Sequence, residues 1–222
     1  MKGKLIVIEG SDGSGKKTQA EMLFERAKKE GYKVELLSFP QYDKFFGKEI
    51  KAYLNGEFGN LNQVHPKFAS LLYALDRHSI KNEIIAKLNR GCNIITNRYM
   101  ESNIGHQASK FSGEERDKFI EWLYQLEVKH LGLPESDLVL YLDLPAEFAQ
   151  KAMEKEGRKK DIHESDFEYL LKVELTYLHT ASKNPKWVIV PCVTGGRYEK
   201  RRFSIPELHE KIWEIAKEKI SN

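Results

Sequence analysis

The sequence has little of what marks secreted, membrane-spanning or nucleic-acid-binding proteins. Its 222 residues include two cysteines, Cys92 and Cys192, and both lie in apolar runs. We therefore expect buried free thiols rather than a disulfide or a metal pair. No apolar run approaches the roughly 18 residues needed to cross a bilayer, so no membrane partner is expected. The 36 basic and 33 acidic side chains leave a formal net charge of +3, which without a clustered basic face does not indicate a nucleic-acid partner.

The composition is that of a globular protein. Hydrophobic residues make up 41% of the chain and charged residues 31%, which excludes disordered and collagen-like chains. The length suits a single domain over residues 1–222, large enough to bury a proper core. Met1 leads straight into a strand-like segment and leaves no room for a signal peptide, so we expect a reducing, cytoplasmic compartment.

Short apolar strands alternate with helical stretches along the chain. The predicted strands are Leu5 to Glu9, Val34 to Phe39, Cys92 to Thr96, Asp137 to Asp143 and Trp187 to Cys192. The predicted helical stretches are Lys16 to Lys29, Lys44 to Leu54, Pro66 to Asn89, two helices within Ser102 to Leu131, and Pro206 to Ile220. This alternation predicts an α/β fold, a three-layer, doubly wound, five-stranded parallel sheet with right-handed crossovers.

The glycine-rich segment Gly10 to Thr18, GSDGSGKKT, lies between the first predicted strand and the first predicted helix. Its glycines let consecutive N–H groups point inward, and the helix N-terminus adds the positive end of its dipole. Lys16 can then reach the terminal phosphates of a nucleoside triphosphate. The segment therefore predicts a P-loop, with ATP-binding residues Gly10, Ser11, Asp12, Gly13, Ser14, Gly15, Lys16, Lys17 and Thr18.

Two residues of this loop depart from the usual P-loop pattern. Lys17 stands where the motif has a hydroxyl, and a lysine does not ligate Mg²⁺. We expect phosphate oxygens, water and some other protein oxygen to hold the metal, whose ligands the sequence leaves unknown. Asp12 puts a carboxylate into an anion cradle, which is unfavourable unless it binds a sugar hydroxyl or a cation.

Candidate residues for a second ligand follow the second and third predicted strands. Open α/β sheets bind ligands at the carboxyl ends of their strands, where the sequence places Phe39-Pro40-Gln41-Tyr42 and Asn97-Arg98-Tyr99. Arg98 suits either a clamp on an anionic group or a structural salt bridge. Tyr73 and Arg77 are four residues apart and share one helix face. Such a pair suits a nucleobase, although by spacing alone it is more often core plus surface.

Nearly the whole chain resembles the thymidylate kinase family of P-loop nucleoside monophosphate kinases. The motifs are LIVIEGSDGSGKKTQ, FPQY, LLYALDR, NRYMESN, LGLPESDLVLYLDLP, and the stretch from Asp161-Ile162-His163-Glu164 to Tyr177. The resemblance implies transfer of the γ-phosphate of ATP to dTMP, which gives dTDP. It also implies Mg²⁺ as cofactor, a short lid over the site and a homodimer. The sequence leaves dTMP and dUMP open as acceptors.

The resemblance assigns roles in the acceptor site to eight residues. Around the base, Tyr73 would stack on thymine, Arg77 would hydrogen-bond its edge and Asn103 would touch it. Around the sugar and phosphate, Asp12 would bind the 3′-hydroxyl, His106 would lie beside C2′ and Arg98 would hold the acceptor phosphate. Phe39 and Tyr42 would line the site. Some members have a tyrosine at the His106 position that crowds a 2′-hydroxyl, so a preference for deoxyribose is implied.

The charged segment around Arg158-Lys159-Lys160 falls where the family has its lid, at about residues 153–165. Gly13 occupies the place of a P-loop arginine found in some members, so the resemblance implies that the lid supplies that charge through Arg158. Lys16, Arg98 and Arg158 are then the catalytic residues, and a mobile cationic lid both neutralises the phosphoryl group and excludes water. Without the resemblance, a solvated helix–helix connection explains the segment equally well.

Three residues near the reacting groups differ from the family pattern, and they keep other functions open. Asn97 replaces a usual aspartate, Gln41 replaces a frequent arginine, and Lys17 replaces the hydroxyl. One alternative is a deoxynucleoside kinase, which needs a carboxylate base just after the second strand, whereas the first acid here is Asp43. Another is a non-catalytic nucleotide-binding module. The basic loop 197–202 predicts either a plain surface loop or a contribution to the adenine or phosphate site.

Overall fold

A computed structural model describes residues 2–60, 63–156, 167–195 and 201–221. Five parallel strands form the central sheet in the order β2-β3-β1-β4-β5. They are β1 Leu5–Gly10, β2 Val34–Ser38, β3 Asn93–Asn97, β4 Leu138–Asp143 and β5 Trp187–Pro191. The predicted fold class and all five strands are confirmed, because each predicted strand lies within one residue of its observed bounds.

Helices cover both faces of the sheet and complete the three layers. They are α1 Lys16–Lys29, α2 Phe45–Leu54, α3 Pro66–His78, α4 Lys81–Asn89, α5 Glu101–Ala108, α6 Gly113–Tyr124, α7 Ala146–Glu156, α8 Phe167–Lys183 and α9 Ile205–Ile220. Residues Gln125–His130 continue α6 as a π-helical segment. On one face of the sheet, α1 and α9 pack against the strands through Leu23 and Ile212. On the other face, α4, α6 and α8 pack against the strands through Leu88, Phe119 and Tyr177.

The sheet is buried on both faces, as continuous apolar strands predict. Every residue of β1 is buried, and β1 pairs with β3 on one side (Leu5↔Ile94) and with β4 on the other (Ile6↔Leu138). The loop that follows β1 therefore leaves the centre of the sheet, next to the loop that follows β3. This crevice is where doubly wound sheets bind their ligands.

One prediction about local structure needs correction, and one small sheet was not predicted. The stretch Pro66 to Asn89 is not one helix, because it breaks at Ser79 and Ile80 between α3 and α4. Ser79 Oγ donates to the carbonyl oxygen of Asp76 at 2.7 Å, and this local bond competes with the helical pattern. The sequence also gave no sign of a two-stranded antiparallel ribbon between β6 Val193–Thr194 and β7 Arg201–Arg202. Strands of two residues are too short to produce a hydrophobic period.

Several predicted features lie wholly or partly outside the described residues. The predicted lid begins in the last turn of α7, and residues 157–166 lie outside, with Arg158 and Asp161 to Glu164 among them. Residues 196–200 of the basic loop lie outside as well. The lid and the single domain over residues 1–222 stay predictions.

Two expectations about composition can be compared with the structure. Cys92 and Cys192 are both buried and free, which confirms the prediction of free thiols. Within the described ranges, no helix has the length and apolar character that crossing a membrane requires.

Candidate active site

The P-loop connects β1 to α1 and has the backbone that its glycines predict. Gly13 and Gly15 have φ values of 78° and 89°, in the left-handed region that favours glycine. Gly15 caps the N-terminus of α1. A Cβ on Gly13 would lie 2.9 Å from the Cβ of Ala152, so α7 packs directly against the outside of the loop. The loop is therefore held between the sheet and the helix that leads towards the predicted lid.

Lys16 and Asp12 form an ion pair inside the loop. Lys16 is buried, and its Nζ donates to the carbonyl oxygen of Ser11 at 2.8 Å and to Asp12 Oδ1 at 3.3 Å. Burial lowers the pKa of Lys16 to about 8. Burial alone would raise the pKa of Asp12, but the charges of Arg98 and Lys16 hold it well below its usual range. The carboxylate is thus ionised and keeps two cations at the loop.

Lys17 and Thr18 differ in how they relate to the loop. Lys17 is 78% exposed and lies 4.0 Å from Glu21 on the next turn of α1, so it points along the outside of the helix. It contributes positive charge only at long range. Thr18 is exposed on the first turn of α1. Of the cations predicted in this loop, Lys16 is the one held at the cradle.

Arg98 joins the P-loop to the neighbouring strand. It follows β3 with φ 67°, a left-handed conformation that is strained for a residue with a Cβ. Its Nη2 donates to Asp12 Oδ1, and its Nη1 donates to Ser102 Oγ at 3.2 Å. Asp12 and Glu9 raise the pKa of Arg98 above its usual value although burial opposes them. The strained turn therefore aims a permanent cation at the end of the phosphate loop.

Glu9 holds this arrangement in place, and the sequence analysis gave it no role. It is fully buried, and its carboxylate accepts hydrogen bonds from Tyr99 N at 3.0 Å, Ser102 Oγ at 2.7 Å and Tyr177 Oη at 3.0 Å. One of its oxygens lies 3.9 Å from Arg98 Nη1. An acid at the end of an otherwise apolar strand was a usable signal, because buried charges need partners.

A cleft that is partly open to solvent adjoins the P-loop. All eight predicted acceptor residues line it, namely Asp12, Phe39, Tyr42, Tyr73, Arg77, Arg98, Asn103 and His106. The structure therefore brings together residues from five separate segments that the sequence analysis assigned to one ligand.

Aromatic residues form part of the cleft lining. Phe39 is buried and packs against the ring of Tyr99 at a centroid distance of 5.9 Å, next to a cis peptide bond between Phe39 and Pro40. Tyr73 meets Tyr53 edge to face at 6.4 Å. Tyr42 is half exposed at the rim. Flat apolar surfaces of this kind suit a stacked base.

Arg77 is more deeply held than the sequence analysis expected. It is 1% exposed and donates through Nε and Nη2 to the two carboxylate oxygens of Glu127, both at 2.7 Å, and through Nη1 to Tyr99 O at 3.2 Å. Asn103 Nδ2 donates to the same carboxylate at 2.8 Å. Glu127 lies 50 residues after Arg77 in the π-helical segment, so spacing gave no sign of this partner. These contacts use three of the five N–H donors of the Arg77 guanidinium, so two donors remain for a ligand.

His106 is hydrogen-bonded on both ring nitrogens. Arg98 Nη1 lies 3.2 Å from Nε2, and Tyr169 Oη lies 3.1 Å from Nδ1. Since arginine only donates, Nε2 must accept, and the imidazole is neutral with its proton on Nδ1. Tyr169 Oη in turn donates to the His106 carbonyl oxygen at 3.1 Å. His106 therefore orients Arg98, a role that the sequence analysis missed.

Gln107 is a further cleft residue that sequence reasoning missed. It is 1% exposed and lines the cleft, and neither atom of its amide group has a hydrogen-bond partner among the described residues. A buried amide without partners costs free energy unless a ligand or water bonds it. Its position directly after His106 was the only sequence signal.

The oxygen atoms around the loop suit a magnesium ion that is bound mainly by phosphates. Within the described parts of the chain, no three His, Cys, Asp or Glu side chains form a metal cluster. Asp12 offers an ionised carboxylate, and the side-chain oxygens of Asn97 and Ser14 are buried without a partner among those residues. Mg²⁺ keeps several waters and binds through one or two protein oxygens plus substrate phosphates, so these residues fit the ion.

The ion pair between Asp12 and Arg98 joins the phosphate loop to a second, aromatic-lined cleft. A loop for one phosphorylated ligand next to a cleft for another is the arrangement of P-loop nucleotide kinases. Comparisons with known proteins agree with this class. The family model described as thymidylate kinase matches residues 8–195. The chain belongs to the thymidylate kinase family.

Individual relatives resemble the chain along most of its length. It is 33% identical over 195 residues to the thymidylate kinase of Mycobacterium tuberculosis, covering 84% of this chain and 90% of that one. It is 30% identical over 226 residues to a probable thymidylate kinase of Pyrococcus abyssi, covering 99% and 98%. The solved structure of thymidylate kinase from Candida albicans superposes with a TM-score of 0.74 at 29% identity and covers 98% and 92%.

Proposed function

We propose that two nucleotides meet over the carboxyl edge of the sheet, with ATP on the loop Gly10 to Thr18 and the acceptor in the cleft beside Arg98. The chain is an ATP-dependent dTMP kinase that forms dTDP, as its family membership and its site both indicate. The observation that carries this proposal is the ion pair between Arg98 Nη2 and Asp12 Oδ1. It joins the two sites at the place where the γ-phosphate would pass from one ligand to the other.

The acceptor phosphate would take the place next to Arg98, and the base would lie deeper in the cleft. Arg98 is permanently charged and bonded to Ser102 and His106, so it is oriented before the ligand arrives. Arg77, Asn103 and Gln107 supply further polar groups to the lining, and Tyr73 supplies a ring. Asp12 would accept a hydrogen bond from the 3′-hydroxyl.

The reaction on such a site needs positioning and charge neutralisation more than proton transfer. The attacking atom is an oxygen of the acceptor phosphate, which is already anionic at neutral pH, so no general base is required. Lys16 and Arg98 would offset the charge that the transferring group carries, and Arg158 is proposed as a third cation. Asp12 keeps Lys16 and Arg98 in place through two hydrogen bonds.

When magnesium is bound, it would supply positive charge beside the phosphate oxygens. Asp12, Asn97 and Ser14 are the residues whose side-chain oxygens suit direct or water-mediated contact with it. Asn97 Nδ2 donates to Ser38 Oγ at 2.9 Å, which leaves the amide oxygen turned away from that bond. Compared with the usual aspartate of the family, Asn97 keeps an oxygen that can bind the metal but carries no negative charge.

The structure of the loop after β2 weighs against the deoxynucleoside kinase alternative. Such an enzyme needs a carboxylate base in reach of a neutral 5′-hydroxyl. The first acid after β2 is Asp43, which is 79% exposed, lies 3.8 Å from Lys44 and is not part of the cleft lining. A monophosphate acceptor is therefore the better match for this site.

We also propose a homodimer and a cytoplasmic location. Exposed aromatic and aliphatic side chains on and next to α3 support the dimer, because Phe58 and Phe68 meet edge to face at 6.0 Å and Leu71 is exposed on the same helix as Phe68. Analytical ultracentrifugation tests it. A chain that sediments as a monomer at micromolar concentration contradicts the dimer.

A panel of nucleoside monophosphates with ATP and Mg²⁺ tests the function. We expect the highest kcat/KM for dTMP, a lower value for dUMP, and little turnover of ribonucleotides or of thymidine. Turnover of thymidine but not dTMP would establish the deoxynucleoside kinase instead. Tight ATP binding without any product from the whole panel would establish a non-catalytic module.

A further inference from the structure

Arg202 reaches the phosphate loop from the far end of the sequence. It lies in β7, and its Nη2 donates a 2.6 Å hydrogen bond to the carbonyl oxygen of Gly13. The same nitrogen lies 3.7 Å from the position that a Cβ on Gly15 would occupy. The guanidinium group is therefore next to the middle of the loop that cradles phosphate.

The ribbon that carries Arg202 is fixed to the sheet and to α1. Phe203 N donates to the carbonyl oxygen of Cys192, and Cys192 N donates to that of Asp143 at the end of β4, both at 2.9 Å. Gln19 on α1 donates through Nε2 to the carbonyl oxygen of Ile205 at 3.0 Å. Arg202 is thus held at the loop by its backbone as well as by its side chain.

The charge of Arg202 has no counter-ion among the residues that the structure describes. Its side chain is half-buried, and a neutral carbonyl oxygen, that of Gly13, is its hydrogen-bond acceptor there. Arginine has five N–H donors and keeps its charge at any physiological pH. A cation partly removed from water beside an anion cradle is well placed to bind an anionic ligand.

The neighbouring Arg201 has the opposite environment. It is exposed, and its two terminal nitrogens donate to Glu207 at 3.0 and 2.9 Å, at the start of α9. Successive residues of a strand point to opposite sides, so one arginine faces away from the loop and the other faces it. The chain therefore contains a matched pair of arginines of which only Arg202 contacts the loop.

Lys16 and Arg202 approach the same region from different directions. The residue after Arg202, Phe203, donates through its backbone N–H to the carbonyl oxygen of the fully buried Cys192 at 2.9 Å. Lys16 bonds Ser11 and Asp12 in the first half of the loop, and Arg202 bonds Gly13 in the middle.

We propose that Arg202 is part of the donor-nucleotide site and that its guanidinium binds phosphate oxygens of the nucleoside triphosphate, opposite Lys16. The proposal rests on the donor half of the proposed function and makes no use of the acceptor half. Its ligand class is a nucleoside polyphosphate, recognised by its phosphates.

Equilibrium titration of the full chain without any acceptor tests this proposal. The probes are a non-hydrolysable ATP analogue and inorganic tripolyphosphate, and the variants are Arg202→Ala, Arg202→Lys and the control Arg201→Ala. We expect Arg202→Ala to weaken both probes by at least about tenfold, the usual effect of losing a charge-assisted hydrogen bond. Arg202→Lys should fall between Arg202→Ala and the natural chain because it keeps the charge but not the fork. Arg201→Ala should bind both probes like the natural chain.

Thermal melting of the same variants separates a bracing role from a binding role. A lowered Tm of Arg202→Ala and Arg202→Lys with unchanged affinity for both probes would mean that Arg202 only supports the loop, and would overturn the proposal. Weaker binding of the ATP analogue with unchanged tripolyphosphate affinity would place the contact on the nucleoside and also overturn it. Equal losses of probe affinity in Arg201→Ala and Arg202→Ala would mean that only the overall positive charge matters, and this result would also overturn the proposal. If the expected Arg202 pattern appears but dTMP is not phosphorylated, the proposed function fails while this proposal is supported.

Discussion

Arg77 and Glu127 form a two-point ion pair inside the protein, with both hydrogen bonds at 2.7 Å and both side chains almost fully buried. Arg77 and Asn103 both line the acceptor cleft, and Asn103 donates to the same carboxylate. Burial alone would lower the pKa of Arg77, but Glu127 raises it above its usual value. The residue that we assign to the edge of the base therefore also stabilises the fold.

Removal of Arg77 is expected to affect both stability and binding. Arg77→Ala leaves Glu127 buried without its partner, and breaking a buried pair in this way costs about 3–5 kcal/mol of unfolding free energy. The acceptor KM should rise in the same variant. Urea unfolding and steady-state kinetics measure the two effects separately.

The double variant Arg77→Met with Glu127→Met is the control for that experiment. Two apolar side chains of similar volume should recover most of the lost stability, because no buried charge remains. The acceptor KM should stay high. Recovery of both stability and acceptor KM would show that Arg77 does not bind the base.

The tautomer of His106 is a second test. Because Arg98 donates to Nε2, the imidazole must carry its proton on Nδ1, towards Tyr169. Nitrogen NMR of the ligand-free protein should show a protonated Nδ1 and an unprotonated Nε2 at neutral pH. Tyr169→Phe removes the partner of Nδ1 and should raise the acceptor KM several-fold with little change in the ATP KM. An Nε2–H signal in the natural chain would contradict the assigned orientation of Arg98.

We expect Gln107 to lower the stability of the ligand-free protein and to strengthen the binding of dTMP. Its amide has no partner among the described residues, so Gln107→Leu should leave the Tm unchanged or raise it, because no unpaired polar group is then buried. The same change should raise the dTMP KM about tenfold, because it removes the hydrogen bond that we assign between the amide and the base. Thermal melting and kinetics with dTMP give both numbers. A lower Tm with unchanged KM would identify a structural glutamine.

The pKa of Lys16 predicts a specific pH dependence of stability. This pKa is about 8 in the folded protein, whereas the ordinary value for lysine is 10.5. Between pH 8 and pH 10.5 the Lys16 amine is therefore protonated in the unfolded chain but largely deprotonated in the folded protein. Stability then rises with pH across this window relative to a variant that lacks the group. Urea unfolding of the natural chain and of Lys16→Met from pH 7 to 10.5 measures the difference. Parallel curves above pH 8 would mean that burial does not depress this pKa.

Much of the fold was predictable from local patterns. The five strands were visible as short apolar runs, and the rule that ligands bind at the carboxyl ends of parallel strands placed Phe39, Tyr42 and Arg98 in one site before any contact was known. The resemblance to the family added Asp12 to that site. The helix break at Ser79 was missed because the apolar period continues through it. The ribbon of β6 and β7 was missed because two-residue strands have no period.

Contacts between distant segments were not predictable. Glu127 lies far along the chain from its partner Arg77, and Arg202 lies far from its partner Gly13. The local sequence around these residues does not indicate either contact. Glu9 was overlooked although a charged residue at the end of a buried strand requires an explanation. The sequence therefore predicts which residues face the ligands better than it predicts which residues hold them there.

A structure of the protein with a ligand in which thymidine and adenosine are joined through five phosphates tests the central claim most directly. We expect the adenosine half on the P-loop, thymine among Tyr73, Arg77 and Gln107, and the bridging phosphates within hydrogen-bond distance of both Lys16 and Arg98. A bound ligand whose phosphates contact Lys16 but not Arg98, and whose thymine lies outside the cleft, would contradict the account.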